Sequence, residues 1–171
     1  MTLALLRTPP LAATPDPASN AGGESGDAIL VRARQRAVEE GLLYAGGVTP
    51  TEAWALHRDG VGQIVDVRTG EERKFVGHVP GVAHVAWATG TSMTRNPRFV
   101  REVEAKFAKD DVLLLLCRSG KRSAAAGEAL AKAGFTQVFN VLEGFEGDHN
   151  DRQQRGELGG WRRHGLPWIQ D

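Results

Sequence analysis

Apolar and polar positions along the chain follow two periods. From Asp27 to Glu40, residues Ile29, Leu30, Ala33, Ala37 and Val38 gather on one side at helical spacing. This predicts an amphipathic helix capped by Asp27 and ended by Gly41 or the Gly46-Gly47 pair. Thr49-Pro50-Thr51-Glu52 is a second helix start. Thr49 caps, Pro50 takes the first helical position, and Glu52 closes a capping box. That helix carries Ala53, Trp54 and Leu56 and stops near Gly60. Ile64 to Val67 reads as a short strand, and Val82 to Val85 as another after a turn from Gly77 to Gly81. Asn96-Pro97 opens a helix with Phe99, Val100, Val103 and Phe107 at helical spacing up to Lys109. Val112 to Leu116 is continuously apolar, the pattern of a central parallel strand buried on both faces. A further helix runs to about Ala133 with Gly134 as its C-cap. Val138 to Val141 is a last strand.

Strands alternating with helices predict an α/β fold with a mainly parallel sheet. Residues 1–26 read as a disordered tail rich in Ala, Pro, Thr and Ser, 27–47 as an N-terminal helix and linker, and 48–171 as the main domain. Gly147 to Gly160 is polar and expected as a surface loop. Trp161, Leu166, Pro167, Trp168 and Ile169 are expected to dock back on the domain. The 21 basic and 21 acidic residues cancel, so no global charge points to nucleic acid or a membrane surface. No stretch reaches the ~18 apolar residues of a membrane helix. Leu3 to Leu6 is too short for a signal peptide and has its arginine on the wrong side, so a cytoplasmic protein is expected. One cysteine excludes an internal disulfide.

That cysteine carries the candidate chemistry. The apolar run ends at Cys117, and Arg118-Ser119-Gly120-Lys121-Arg122-Ser123 follows before a helix. Sites in open α/β sheets lie at the carboxyl ends of strands, where Cys117 falls. If the loop curls, its N–H groups form an anion nest reinforced by the helix N-terminus. Arg118, Lys121 and Arg122 add positive charge, which favours the nucleophilic thiolate. A cysteine buried for packing alone is the plain alternative, but it does not explain a core strand ending in a charged glycine turn. Tyrosine-type phosphatases place an arginine six positions after the cysteine. Here that position is Ser123 and Arg122 comes one earlier, so the shorter loop suits a persulfide better than a phosphate.

These residues resemble a single-domain rhodanese, a sulfurtransferase. The resemblance runs from about Val48 to Trp168 and rests on five ordered segments: the cysteine loop; Ile64-Val-Asp66-Val-Arg68 with Glu72; Gly77-His78-Val79-Pro80-Gly81-Val-Ala83; Val141-Leu-Glu143-Gly144-Phe145; and Trp161 with Gly165-Leu-Pro167. It departs in one extra residue between Glu72 and Gly77, a single glycine before Phe145, and long segments at 87–98 and 147–160 that could shape the pocket or bind a partner. The resemblance implies a three-layer α/β/α domain and sulfur transfer through a Cys117 persulfide. The donor would be thiosulfate or a persulfide, and the acceptor cyanide, a small thiol or a protein thiol. No cofactor, metal, nucleic acid or membrane is implied.

Residues 118–123 would hold the anion, with Arg118 and Lys121 nearest a donor sulfonate. Arg122 would face the pocket or pair with Glu72 or Asp66. Ser123 would cap the helix, with or without a bond to the sulfur. Asp66, Arg68, Glu72 and His78 read as structural support: the family pattern pairs Arg68 with Glu72, and His78 would fix backbone carbonyls. Trp87 and Phe145 are the candidate pocket walls. Asp148, His149 and Asp151 lack a strong ligand spacing, so no metal site is assigned. Two other functions stay open: an arsenate reductase or phosphatase on the same scaffold, and a non-catalytic regulatory or binding module.

Overall fold

The computed structural model describes residues 23–171, so the expectation for most of the tail lies outside the described residues. In chain order the elements are α1 (Gly26–Glu40), β1 (Gly46–Val48), α2 (Pro50–Arg58), β2 (Gln63–Asp66), α3 (Gly70–Val76), β3 (Ala83–His84), β4 (Ala88–Thr89), β5 (Thr94–Arg95), α4 (Phe99–Glu104), β6 (Leu113–Leu116), α5 (Lys121–Lys132) and β7 (Val138–Val141). Five strands form a parallel sheet in the order β1-β7-β6-β2-β3. β4 and β5 make a small separate hairpin.

β6 is the central strand, as its unbroken run of leucines predicts, and all four of its residues are buried. Strand alternation sorts side chains to two cores. Ile64, Leu114, Leu116, Phe139 and Val141 face Ile29, Leu30 and Ala33 of α1 and Ala53 and Leu56 of α2. Val65, Leu113, Leu115 and Val138 face Phe99 and Val103 of α4 and Ala126 and Leu130 of α5. The result is a three-layer α/β/α arrangement. Among the described residues no helix is long and apolar enough to cross a membrane.

Capping chemistry sets the helix starts. Thr49 and Glu52 form the expected capping box on α2. Arg32 and Arg36 of α1 reach the same Glu52 carboxylate at 2.6 and 2.7 Å, tying α1 to the first turn of α2. Ser25, not Asp27, caps α1, because its hydroxyl accepts from the Ala28 amide; Gly41 ends the helix in the left-handed region. α4 stops at Glu104, five residues short of the expected end. Gly46 and Gly47 lie in an edge strand, and residues 88–95, within the long segment at 87–98, form the hairpin. Trp161 is fully buried, while Ile169 pairs with His78 in an isolated antiparallel bridge.

Candidate active site

Cys117 follows the last residue of β6, at the carboxyl edge of the sheet, and only 1 % of its surface is exposed. Its Sγ accepts from the Gly120 amide at 3.1 Å and from the Ser123 hydroxyl at 3.1 Å. The first bond requires the chain to fold back within three residues, which Gly120 allows by adopting φ +93°. Gly120 is the N-cap residue of α5, so Ser123 lies in the first helical turn and points at the sulfur instead of capping. The amides of Arg118, Ser119, Lys121, Arg122 and Ser123 meet no protein acceptor among the described residues. Three of them are orphan donors of the α5 terminus, the kind of uncommitted N–H group that can take an anion.

A second segment clamps the cysteine loop. The amides of Phe145 and Glu146 donate to the carbonyls of Cys117 and Arg118 at 2.8 and 2.9 Å. The Cys117 and Arg118 carbonyls are thus engaged by this segment. Gly144 makes this approach possible. A Cβ there would lie 2.5 Å from the Arg118 carbonyl carbon and 2.6 Å from both the Cys117 oxygen and the Ser119 nitrogen.

The charged residues divide into scaffold and free cations. Arg122 is clamped by Glu72 through two bonds of 2.7 and 2.6 Å. Burial opposes ionisation of Glu72, but Arg122 and the Thr69 amide outweigh it and hold the carboxyl below its ordinary value. The same pair, against burial, raises Arg122. Of the two alternatives for Arg122, the structure selects the ion pair. Arg68 does not pair with Glu72 as the resemblance implied. It bonds Asp66 through Nε at 3.0 Å and Nη2 at 2.7 Å, and both residues are fully buried. Arg68 also donates to the Gly77 carbonyl and stacks 4.0 Å over the Phe145 ring. Glu72 is engaged by Arg122 from across the sheet edge, which leaves Arg68 to the acid two residues before it. His78 supports backbone as expected, donating from Nδ1 to the Arg73 carbonyl at 3.3 Å. Lys121 is exposed and makes no ion pair among the described residues, and the buried Arg118 Nε has no hydrogen-bond partner there.

The two proposed walls are packed differently. Phe145 is completely buried in the core under Arg68, because its amide is pulled in to bond Cys117. Trp87 is half-buried, edge-on to Phe99, with the Arg95 guanidinium on its ring. What overhangs the loop is the β4–β5 hairpin, whose Met93 sulfur lies 3.6 Å from Arg122. The residue missed from the sequence is Asn140. Its Oδ1 accepts from Ser123 at 2.6 Å and its Nδ2 donates to the Gly120 carbonyl at 3.1 Å. The signal was a lone amide inside the apolar run Val138 to Val141.

Fold and site together define an α/β protein with a cysteine cradled at the carboxyl edge of a parallel sheet. The chain matches the Rhodanese-like domain model over residues 49–151, and it belongs to that family. It is similar to an uncharacterised Rickettsia prowazekii protein, RP600, at 34% identity over 61% of this chain and 80% of that one. It is similar to thiosulfate sulfurtransferase 16, a chloroplastic protein of Arabidopsis thaliana, at 32% identity over 61% of this chain and 78% of the relative. Among solved structures, Rv0390 from M. tuberculosis superposes with a TM-score of 0.67 at 40% identity, covering 75% of this chain and 99% of that one.

Proposed function

We propose that this protein is a sulfurtransferase that carries sulfane sulfur as a persulfide on Cys117. The supporting observation is the cradle itself: a cysteine sulfur met by two donors at 3.1 Å in a loop of uncommitted amides. In the first step the Cys117 thiolate attacks the outer sulfur of thiosulfate. A new S–S bond forms as the old one breaks, and sulfite leaves with the electron pair. In the second step cyanide or an acceptor thiolate attacks the outer sulfur of the persulfide. Thiocyanate or an acceptor persulfide departs, and Cys117 returns as thiolate. Both steps are two-electron displacements, so one difficult transfer becomes two easier ones. A small-molecule or protein persulfide serves as donor in the same way.

The loop amides stabilise the persulfide anion. Arg118 and Lys121 supply charge for the donor's sulfonate. Arg122 is spent on Glu72, which argues against the phosphatase reading, where a guanidinium must face the phosphate. On this reading the partners are the donor and a thiol acceptor, with no nucleic acid or membrane, in the cytoplasm.

Intact-protein mass after thiosulfate treatment tests the proposal. The native protein should gain one sulfur, about 32 Da, and Cys117→Ala should gain none. No gain with thiosulfate or with a small persulfide donor, together with hydrolysis of an arylphosphate, would overturn it.

A further inference from the structure

Both groups that touch the Cys117 sulfur are held by one side chain on the neighbouring strand. Asn140 of β7 pairs in register with Leu115 of β6, and strand alternation turns it to the α5 face, where Cys117 also lies. It is 6 % exposed in an apolar strand, where an unbonded amide would be costly. Its Nδ2 donates to the Gly120 carbonyl and its Oδ1 accepts from the Ser123 hydroxyl, and the Tyr44 side chain meets the same amide. A flipped amide would turn Oδ1 against the Gly120 carbonyl, two acceptors face to face, so the orientation is fixed.

The Ser123 hydroxyl has one proton and two acceptors, Asn140 Oδ1 at 2.6 Å and Cys117 Sγ at 3.1 Å. With a neutral thiol, the S–H can lean on Ser123 Oγ while the serine proton rests on Asn140. With an anionic sulfur, the serine proton turns to the sulfur. Asn140 keeps the oxygen in place for both arrangements.

We propose that Asn140 is a positioning residue for the nucleophile: it holds Gly120 and Ser123 where their N–H and O–H meet the sulfur, and it accepts the serine O–H hydrogen bond whenever the sulfur does not. The turnover readout below rests on the sulfur-transfer reading; the alkylation readout does not.

The test uses full-length Asn140→Leu, Ser123→Ala and the double variant, each checked for native circular dichroism. Alkylation of Cys117 by iodoacetamide at neutral pH should slow roughly fivefold in Asn140→Leu. The double variant should be no slower than Asn140→Leu, because both changes act on one network. In thiosulfate:cyanide turnover, kcat should fall roughly tenfold while KM for thiosulfate stays within about twofold, since Asn140 contacts no donor. The Asn140 side-chain amide resonance should shift between thiol and persulfide forms, and not in Ser123→Ala. If Asn140→Leu does not fold, Asn140→Ala removes both bonds without adding bulk or charge, and should slow alkylation in the same direction. Slowed alkylation in a protein that never takes up sulfur would sink the sulfur-transfer reading and leave the positioning role standing. Wild-type alkylation rates in a folded Asn140 variant would overturn the positioning role.

Discussion

Gly144→Ala tests how the cysteine loop is held. Gly144 has φ +65°, and its Cβ position falls 2.5–2.6 Å from backbone atoms of Cys117, Arg118 and Ser119. Two costs therefore add. Left-handed backbone costs a non-glycine residue about 1–2 kcal/mol. Overlap with backbone, which cannot rotate away like a side-chain tip, adds about 1–3 kcal/mol. The expected loss is about 2–5 kcal/mol, a large part of the ~5–15 kcal/mol that holds a domain. Gly134→Ala separates the two costs. Gly134 has φ +95° but nothing within 4 Å of its Cβ position, so it should lose only about 1–2 kcal/mol. Urea unfolding of both variants measures the difference, and the rate of thiosulfate uptake by mass measures the loop. Gly144→Ala should load sulfur roughly tenfold more slowly, because pushing the loop lengthens the 3.1 Å bonds to sulfur. Gly134→Ala should load at the native rate. Equal destabilisation of the two variants, with native loading in both, would refute the claim that Gly144 exists to let the segment reach the loop.

Two other perturbations have worked signs. Arg68→Ala leaves Asp66 buried with Arg73 at 3.5 Å as its remaining side-chain cation, and the urea midpoint should report a loss of about 3–5 kcal/mol; a loss under about 1 kcal/mol would mean that the buried pair contributes little. For Glu52, burial raises the carboxyl, but Arg36, the Thr49 amide and Arg32 pull it down from 4.5 to about 2. A folded pKa below the unfolded one gives stability that is present above about 4.5 and lost as pH falls towards 2. Thermal melts across that window should fall with pH in the native protein and fall less in Glu52→Gln.

The parts legible in the sequence were those whose cause is local. The leucine run of β6 has one reading, and the Thr49-Pro50-Thr51-Glu52 cap is built from four adjacent residues, so both formed as expected. The same local chemistry was present and overlooked at Thr69 and Glu72, which cap α3 with an identical box. β1 was hidden because its two glycines read as a helix stop, and only β7, far along the chain, makes them a strand. Partner choice was the least legible. Whether Glu72 meets Arg68 or Arg122 depends on α3 and α5 arriving side by side, which no spacing encodes. Phe145 was read as a wall because it follows a strand end; the left-handed turn at Glu143 and Gly144 sends it inward instead.

The strand order also fixes when the site exists during synthesis. β1, emerging early, has one sheet partner, β7, the last strand made. β1 must therefore wait for its sheet pairing while most of the domain leaves the ribosome. The cysteine loop waits on the same event, because Asn140 arrives on β7 and the clamp at Phe145 and Glu146 just behind it. Pairings this distant in sequence are slow to close. Until they do, the nascent chain carries Cys117 without its cradle, so the last strand to be translated completes the sheet and the reactive centre in a single docking step.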